Sequence, residues 1–282
     1  MKLGKLKYFI AVCILWVSCQ SCFQFRMSDG KQLKELAEIS IKYDVDIGYK
    51  EVSGRQMHYT YVSSDSSKPL VVFIHGSPGS SSNFIHFAKD TTLLNEYNVL
   101  LLDRPGFGYS DFGDGEPSIL IQASILHDVI REFPENDRVV VGHSLGGPII
   151  VRMAMTEPDF YRKLLVIAGS VSPNLEPEEK WRKPLDSPLL RWLMPRSFCV
   201  SNQEILLAKE NLVEMERDWK KVLGFIHIIQ GGKDNLVPAG NEDYAKMMLI
   251  NAEDVVLHKL PEANHFIPFT QPELVRDVLL DF

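Results

Sequence analysis

Cysteine is nearly absent from the body of this chain. Of four cysteines, Cys13, Cys19 and Cys22 lie in the first 22 residues, and Cys199 stands alone. One thiol cannot staple a fold, so a disulfide framework is excluded and stability must come from buried apolar surface. Basic runs are missing too. Beyond Lys2, Lys5 and Lys7 no Lys/Arg cluster occurs, and the formal charge of -7 excludes the electrostatic footprint of a nucleic-acid partner. No apolar run reaches the roughly 18 residues that a membrane-spanning helix needs. Metal-ligand spacings, internal repeats and low-complexity tracts are also lacking, so no metal or organic cofactor is expected. What remains is a chain of 282 residues, 45% hydrophobic, of a length that suits one large domain with an insertion.

The N-terminus reads as an export signal. Lys2, Lys5 and Lys7 precede an unbroken apolar stretch from Tyr8 to Val17, the pattern of a signal-peptide core. Val17-Ser18-Cys19 then resembles a bacterial lipoprotein processing site, in which the cysteine is acylated and becomes the new N-terminus. Residues 1–22 are therefore expected to be a lipoprotein-type signal with Cys19 as the lipidated residue. Cys22 is a second candidate, and a plainly cleaved signal or an uncleaved anchor is the alternative. The expected location is the bacterial cell envelope, with the chain lipid-anchored to a membrane and facing the periplasm or the exterior. Residues 23–46 read as a tether followed by a helix over Lys31–Lys42, with Leu33, Leu36, Ala37 and Ser40 on one face and Ser28 or Asp29 as cap.

From residue 47 to 282 the pattern is that of one α/β domain. Ile47–Val52 and Arg55–Val62 flank Ser53-Gly54, a two-residue hairpin signal. The short, evenly apolar runs Leu70–Ile74, Val99–Leu102, Val139–Val141, Leu164–Ala168 and Phe225–Ile229 read as central parallel strands covered on both faces. Ser118–Glu132 and Gly147–Thr156 are long enough for crossover helices, so a mostly parallel sheet with helices on both sides is expected. One connection is too long for a simple crossover. About fifty residues separate Ala168 from Phe225, and they hold Trp181, Trp192 and Trp219. The segment from about 171 to 223 is expected to form a helical cap over the C-terminal edge of the sheet, where ligands bind in open α/β folds. Glu204–Val222 carries its clearest helical pattern.

Gly142-His143-Ser144-Leu145-Gly146 is a G-x-S-x-G pentapeptide between a strand and a helix. Such a turn strains the serine backbone and lifts the hydroxyl above the sheet at a helix N-terminus. A serine needs a base to take its proton, and His265, just after the run Val255–Leu260, is the candidate. His58, His86, His127, His227 and His258 fall within strand or helix patterns, and strand alternation turns His143 away from the nucleophile. Asp234, in the loop after Phe225–Ile229, would hold the tautomer of His265. The oxyanion hole would use the backbone N–H groups of Leu145 and of Ser77 in His75-Gly76-Ser77-Pro78-Gly79, since Pro78 has none. His75 is expected to brace that loop. In the cap, Trp181, Trp192, Met194 and Phe198 are the candidate substrate-binding residues.

Together with Asp103-Arg104-Pro105-Gly106-Phe107-Gly108-Tyr109-Ser110, these motifs resemble the α/β-hydrolase superfamily, in its usual order and from about Gly48 onward. The resemblance implies that fold, the triad Ser144, Asp234 and His265, and a structural role for Asp103 and Arg104. It also implies acyl chemistry, because the dehalogenases and epoxide hydrolases of the superfamily carry aspartate where Ser144 stands. A carboxylesterase acting on a small-molecule acyl substrate leads. A carbon–carbon bond hydrolase, a thioesterase, a perhydrolase and an aminopeptidase use the same triad, and a non-catalytic exported binding protein is the reading from another class. No feature selects an oligomeric state.

Overall fold

The computed structural model describes residues 24–282; the signal segment, Cys19 and Cys22 lie outside the described residues. Ser53 and Gly54 both take positive φ, 51° and 74°, the turn that suits the right-handed twist of a hairpin. They join β1 (Asp44–Val52) to β2 (Arg55–Ser63), with Val52 opposite Arg55. Six more strands follow: β3 (Leu70–Ile74), β4 (Asn98–Leu102), β5 (Arg138–His143), β6 (Lys163–Ile167), β7 (Phe225–Gly231) and β8 (Asp254–Leu260). They form one eight-stranded sheet in the order β1-β2-β4-β3-β5-β6-β7-β8, antiparallel only where β2 meets β1 and β4.

The evenly apolar strands are explained by two cores, one on each face. Leu70, Val72 and Ile74 of β3 join one apolar cluster while Val71 and Phe73 join the other, and β4, β5 and β6 divide in the same way. A strand with both faces buried has no position left for polar alternation. Leaving out the insertion, the helices in chain order are α1 (Asp29–Glu35), α2 (Thr91–Glu96), α3 (Ile119–Ile130) and α4 (Gly146–Thr156). Next come α5 (Arg182–Leu185), α6 (Pro188–Leu193) and α7 (Arg196–Met215) of the insertion, and finally α8 (Asn241–Met248), α9 (Ile267–Thr270) and α10 (Pro272–Leu280). α3 and α4 cover one face, α2 and α10 the other.

The differences from the sequence reading lie at the ends and in the insertion. The first helix stops at Glu35, continues as a turn and a 3₁₀ turn, and buries Gln32, Leu36 and Ile39 while Leu33 faces solvent. Neither Ser28 nor Asp29 caps it through a side chain. Residues 24–28 are no loose tether: Ser80 Oγ donates to the Phe25 carbonyl at 2.7 Å, and the Met27 N–H donates to Ser82 Oγ at 3.0 Å. In the insertion the long helix starts at Arg196, directly after Pro195, eight residues before the pattern suggested. Proline suits a helix start because its missing N–H is not needed there. Trp219 is buried in the main core against Tyr244 and packs the insertion down; it faces no ligand space.

Candidate active site

At the C-terminal end of β5 the chain turns sharply into α4, and Ser144 takes φ 54° in that turn. A non-glycine residue in this region costs about 1–3 kcal/mol and is held only by a surrounding that over-determines it. Here the surrounding is visible. The Ser144 N–H donates to the Ile167 carbonyl at 2.9 Å, and a Cβ at Gly142 would meet the Gly146 carbonyl oxygen at 2.4 Å. A Cβ at Gly146 would in turn meet the Ile74 carbonyl oxygen at 2.4 Å. Both glycines are therefore dictated by backbone crossing backbone.

Ser144 and His265 line one cavity of about 380 Å³. His265 Nδ1 lies 2.7 Å from Asp234 Oδ2, which leaves Nε2 as the ring's other nitrogen. The other oxygen of Asp234 accepts the N–H groups of Leu236 and Val237, each at 2.8 Å. Burial pushes the Asp234 carboxyl up, but the bond to His265 and these N–H donors outweigh it and hold it below the usual carboxylate range.

The loop after β3 forms the opposite wall. Ser77 lines the cavity, and neither its backbone N–H nor that of Leu145 donates to a protein acceptor among the described residues. The Ser77 side chain is engaged elsewhere, donating to Glu204 Oε2 at 2.5 Å. His75 braces this loop as expected: its Nδ1 donates to the Gly76 carbonyl at 2.7 Å and its Nε2 accepts the Arg104 N–H at 3.0 Å. Burial and the nearby Arg104 charge push its pKa down to about 3, so it is neutral. Asp103 is likewise a brace, accepting from His58, Ser81 and Tyr109.

Three features escaped the sequence reading. His143 does face this cavity, with its ring 4.8 Å from that of His265 and its Nε2 donating to the His265 carbonyl at 2.9 Å. Strand alternation fails there because the chain leaves strand geometry at Ser144. Burial and the neighbouring His265 push the His143 pKa down to about 4. The second feature is Glu204 of α7, fully buried and paired with Arg104 Nη1 at 2.5 Å. It also accepts from Gln122 Nε2 at 2.8 Å, while Arg104 Nη2 donates to the Gly76 carbonyl at 2.9 Å. A signal was present in the sequence, since Ser197, Ser201, Glu204, Ala208 and Leu212 recur at helical spacing and form the buried stripe of α7. The third is Phe25, which lines the cavity and packs edge-on against Phe198 at 5.5 Å.

Of the expected cap residues only Phe198 reaches this cavity. Trp181 is exposed, with the Arg182 guanidinium 4.4 Å over its ring. Trp192 is exposed on a separate open groove with Phe112, Arg191 and Arg196, and Met194, half-buried at the end of α6, belongs to neither wall. The short helices α5 and α6, set off by Pro184, Pro188 and Pro195, carry these side chains outward. A further cavity of about 360 Å³ inside the insertion is lined mostly by charged side chains and touches none of Ser144, Asp234 or His265.

The comparisons agree with this architecture. The protein phosphatase methylesterase 1 of Aspergillus oryzae is 27% identical, over 82% of this chain and 66% of that protein. The pimeloyl-(acyl-carrier protein) methyl ester esterase of Shewanella woodyi is 33% identical over 43% of this chain and 44% of its own length. This chain thus spans about two thirds of the first relative and less than half of the second. An esterase from Exiguobacterium antarcticum superimposes with a TM-score of 0.63, at 19% identity, covering 83% of this chain and 98% of that one. The profile of the alpha/beta hydrolase family matches residues 71–278, a span that takes in all but the first residue of β3, the serine turn, the insertion and the Asp234 and His265 loops. With its sheet order, its strained serine and that match, the chain belongs to the alpha/beta hydrolase family and is a hydrolase.

Proposed function

We propose that this protein is a serine carboxylesterase that works through an acyl-enzyme, exported and held to a membrane by an acylated Cys19. The observation that carries the reading is the convergence of the strained Ser144 and the Asp234-held His265 on one cavity. Ser144 Oγ attacks the ester carbonyl while His265 Nε2 takes its proton, and the N–H groups of Ser77 and Leu145 receive the developing oxyanion. Collapse expels the alcohol with the proton from His265. Water then gives a proton to His265 and attacks the acyl-serine, releasing the acid and restoring both side chains. The esterase names of several relatives support acyl chemistry. An aminopeptidase would need an acid beside Ser144 for the substrate amine, and no Asp or Glu is among the described residues that line this cavity.

A fluorophosphonate probe tests the reading. It should label the native protein and not Ser144→Ala, and the substitution should lower turnover on nitrophenyl esters by about a millionfold. A mutant that keeps more than a few per cent of activity overturns it.

A further inference from the structure

Phe25 lies six residue steps after Cys19 and lines the cavity that holds Ser144. A fully extended chain covers at most about 3.6 Å per residue, so an acylated Cys19 would keep the cavity mouth within about 22 Å of the bilayer surface. The first described residues are fastened to the mouth, not swinging from it. Besides the bonds of Phe25 and Met27 to Ser80 and Ser82, Arg26 Nη1 donates to the Gly108 carbonyl at 2.5 Å and its guanidinium lies 4.1 Å over Tyr109.

The rim is apolar and outward-facing. Leu236, Phe266 and Phe269 line the cavity and are 59%, 48% and 40% exposed. Leu236 and Phe266 come from the two loops that carry Asp234 and His265, and Phe269 from α9 directly after the second, so the rim is tied to those side chains. Among the described residues, no Lys, Arg, Asp or Glu lines the cavity. A charged acyl group would enter it without a partner, whereas a neutral hydrocarbon chain would lose nothing.

We infer that the rim of Leu236, Phe266 and Phe269 docks onto the lipid bilayer and that the ester taken at Ser144 is a neutral acyl lipid carried in that bilayer. The inference rests on the reading of the chain as a Cys19-acylated ester hydrolase. A short lipid tether and an apolar rim are two weak membrane signals that together give stable contact. The tether sets which face turns to the membrane, and the rim lets an acyl chain pass to Ser144 without crossing water.

The experiment uses the full chain in phosphatidylcholine vesicles and two esters with one leaving group. Methylumbelliferyl oleate is carried in the vesicles and methylumbelliferyl butyrate is supplied in water. A 30-residue Gly-Ser spacer between residues 23 and 24 adds about 30 Å of mean reach and leaves the cavity wall intact. It should lower oleate turnover at least fivefold and leave butyrate turnover unchanged. Leu236→Glu should lower the ratio of oleate to butyrate turnover in the same direction. Equal oleate rates with and without the spacer, together with an unmoved ratio in Leu236→Glu, overturn the docking inference while both ester activities persist. Recovery of the native chain in the soluble fraction overturns it by removing the tether, with butyrate hydrolysis intact. Loss of both activities in a folded native chain would instead remove the proposed function beneath it.

Discussion

Glu204 carries more of the site's geometry than its place in the insertion suggests. Its carboxylate receives Arg104, Gln122 and Ser77, so one buried charge joins α7, α3 and the Ser77 loop. Removing one partner of such a pair leaves the other charged and unpaired in a dry site, a loss of about 3–5 kcal/mol, whereas replacing both by apolar groups is often near neutral. Glu204→Gln should therefore lower stability by that order in denaturant unfolding, and Glu204→Leu with Arg104→Met should recover most of it. If the double variant is no more stable than Glu204→Gln, the pair is not the unit of stability. Phe198 is the residue to change for specificity. Phe198→Ala should shift preference along an ester chain-length series, by the roughly 1–3 kcal/mol that one methylene is worth in an apolar pocket. Trp181→Ala and Trp192→Ala should leave the profile as it is, since neither ring lines the cavity. A shift in either tryptophan variant and none in Phe198→Ala would contradict this wall.

Among the elements, the strands and the serine turn were legible from local pattern, because two-sided burial and a crossing of backbones leave marks in consecutive residues. β3 matches the run Leu70–Ile74, and β5 and β7 extend their runs by one or two residues at the ends. The insertion was legible as an excursion and not in its facing. Tryptophan and proline mark a compact, irregular segment, but whether a ring packs inward or faces out depends on how α5, α6 and α7 are laid against the sheet. Trp219 is core, Trp181 and Trp192 are surface, and nothing in their neighbours along the chain separates them. Residues 24–28 are the reverse case. They have no pattern of their own, and their place at the cavity mouth comes from hydroxyls of Ser80 and Ser82 more than fifty positions away.

For the whole molecule, burial lowers the pKa of several histidines, and His143 and His75, the most strongly shifted, lead the response to acid. In the unfolded chain each takes a proton near pH 6.5, while in the folded protein His143 does so only near pH 4 and His75 near pH 3. Between those limits the unfolded state binds more protons, so stability falls as pH drops from about 6.5 toward 4. Melting temperature should decline across that interval, and His143→Gln should flatten the decline. A native melting temperature constant from pH 7 to pH 4 would mean that these rings are charged or exposed in the folded protein. Since both brace the loops around Ser144, the same interval should see activity lost together with structure.

By itself the sequence determined the class of fold, the strand runs and the glycines of the serine turn, and it singled out Ser144, Asp234 and His265 as the candidate triad. Each of these rests on chemistry confined to a few consecutive residues, or on a chain order that a parallel sheet imposes. Tertiary structure decided what meets across the cavity: Phe25 beside Phe198, His143 turned toward His265, Glu204 neutralised by Arg104 and holding Ser77, and two tryptophans turned out to solvent. Those pairings join segments up to about 170 residues apart. Side-chain type limits what each residue can do there, but only packing fixes which partners it meets.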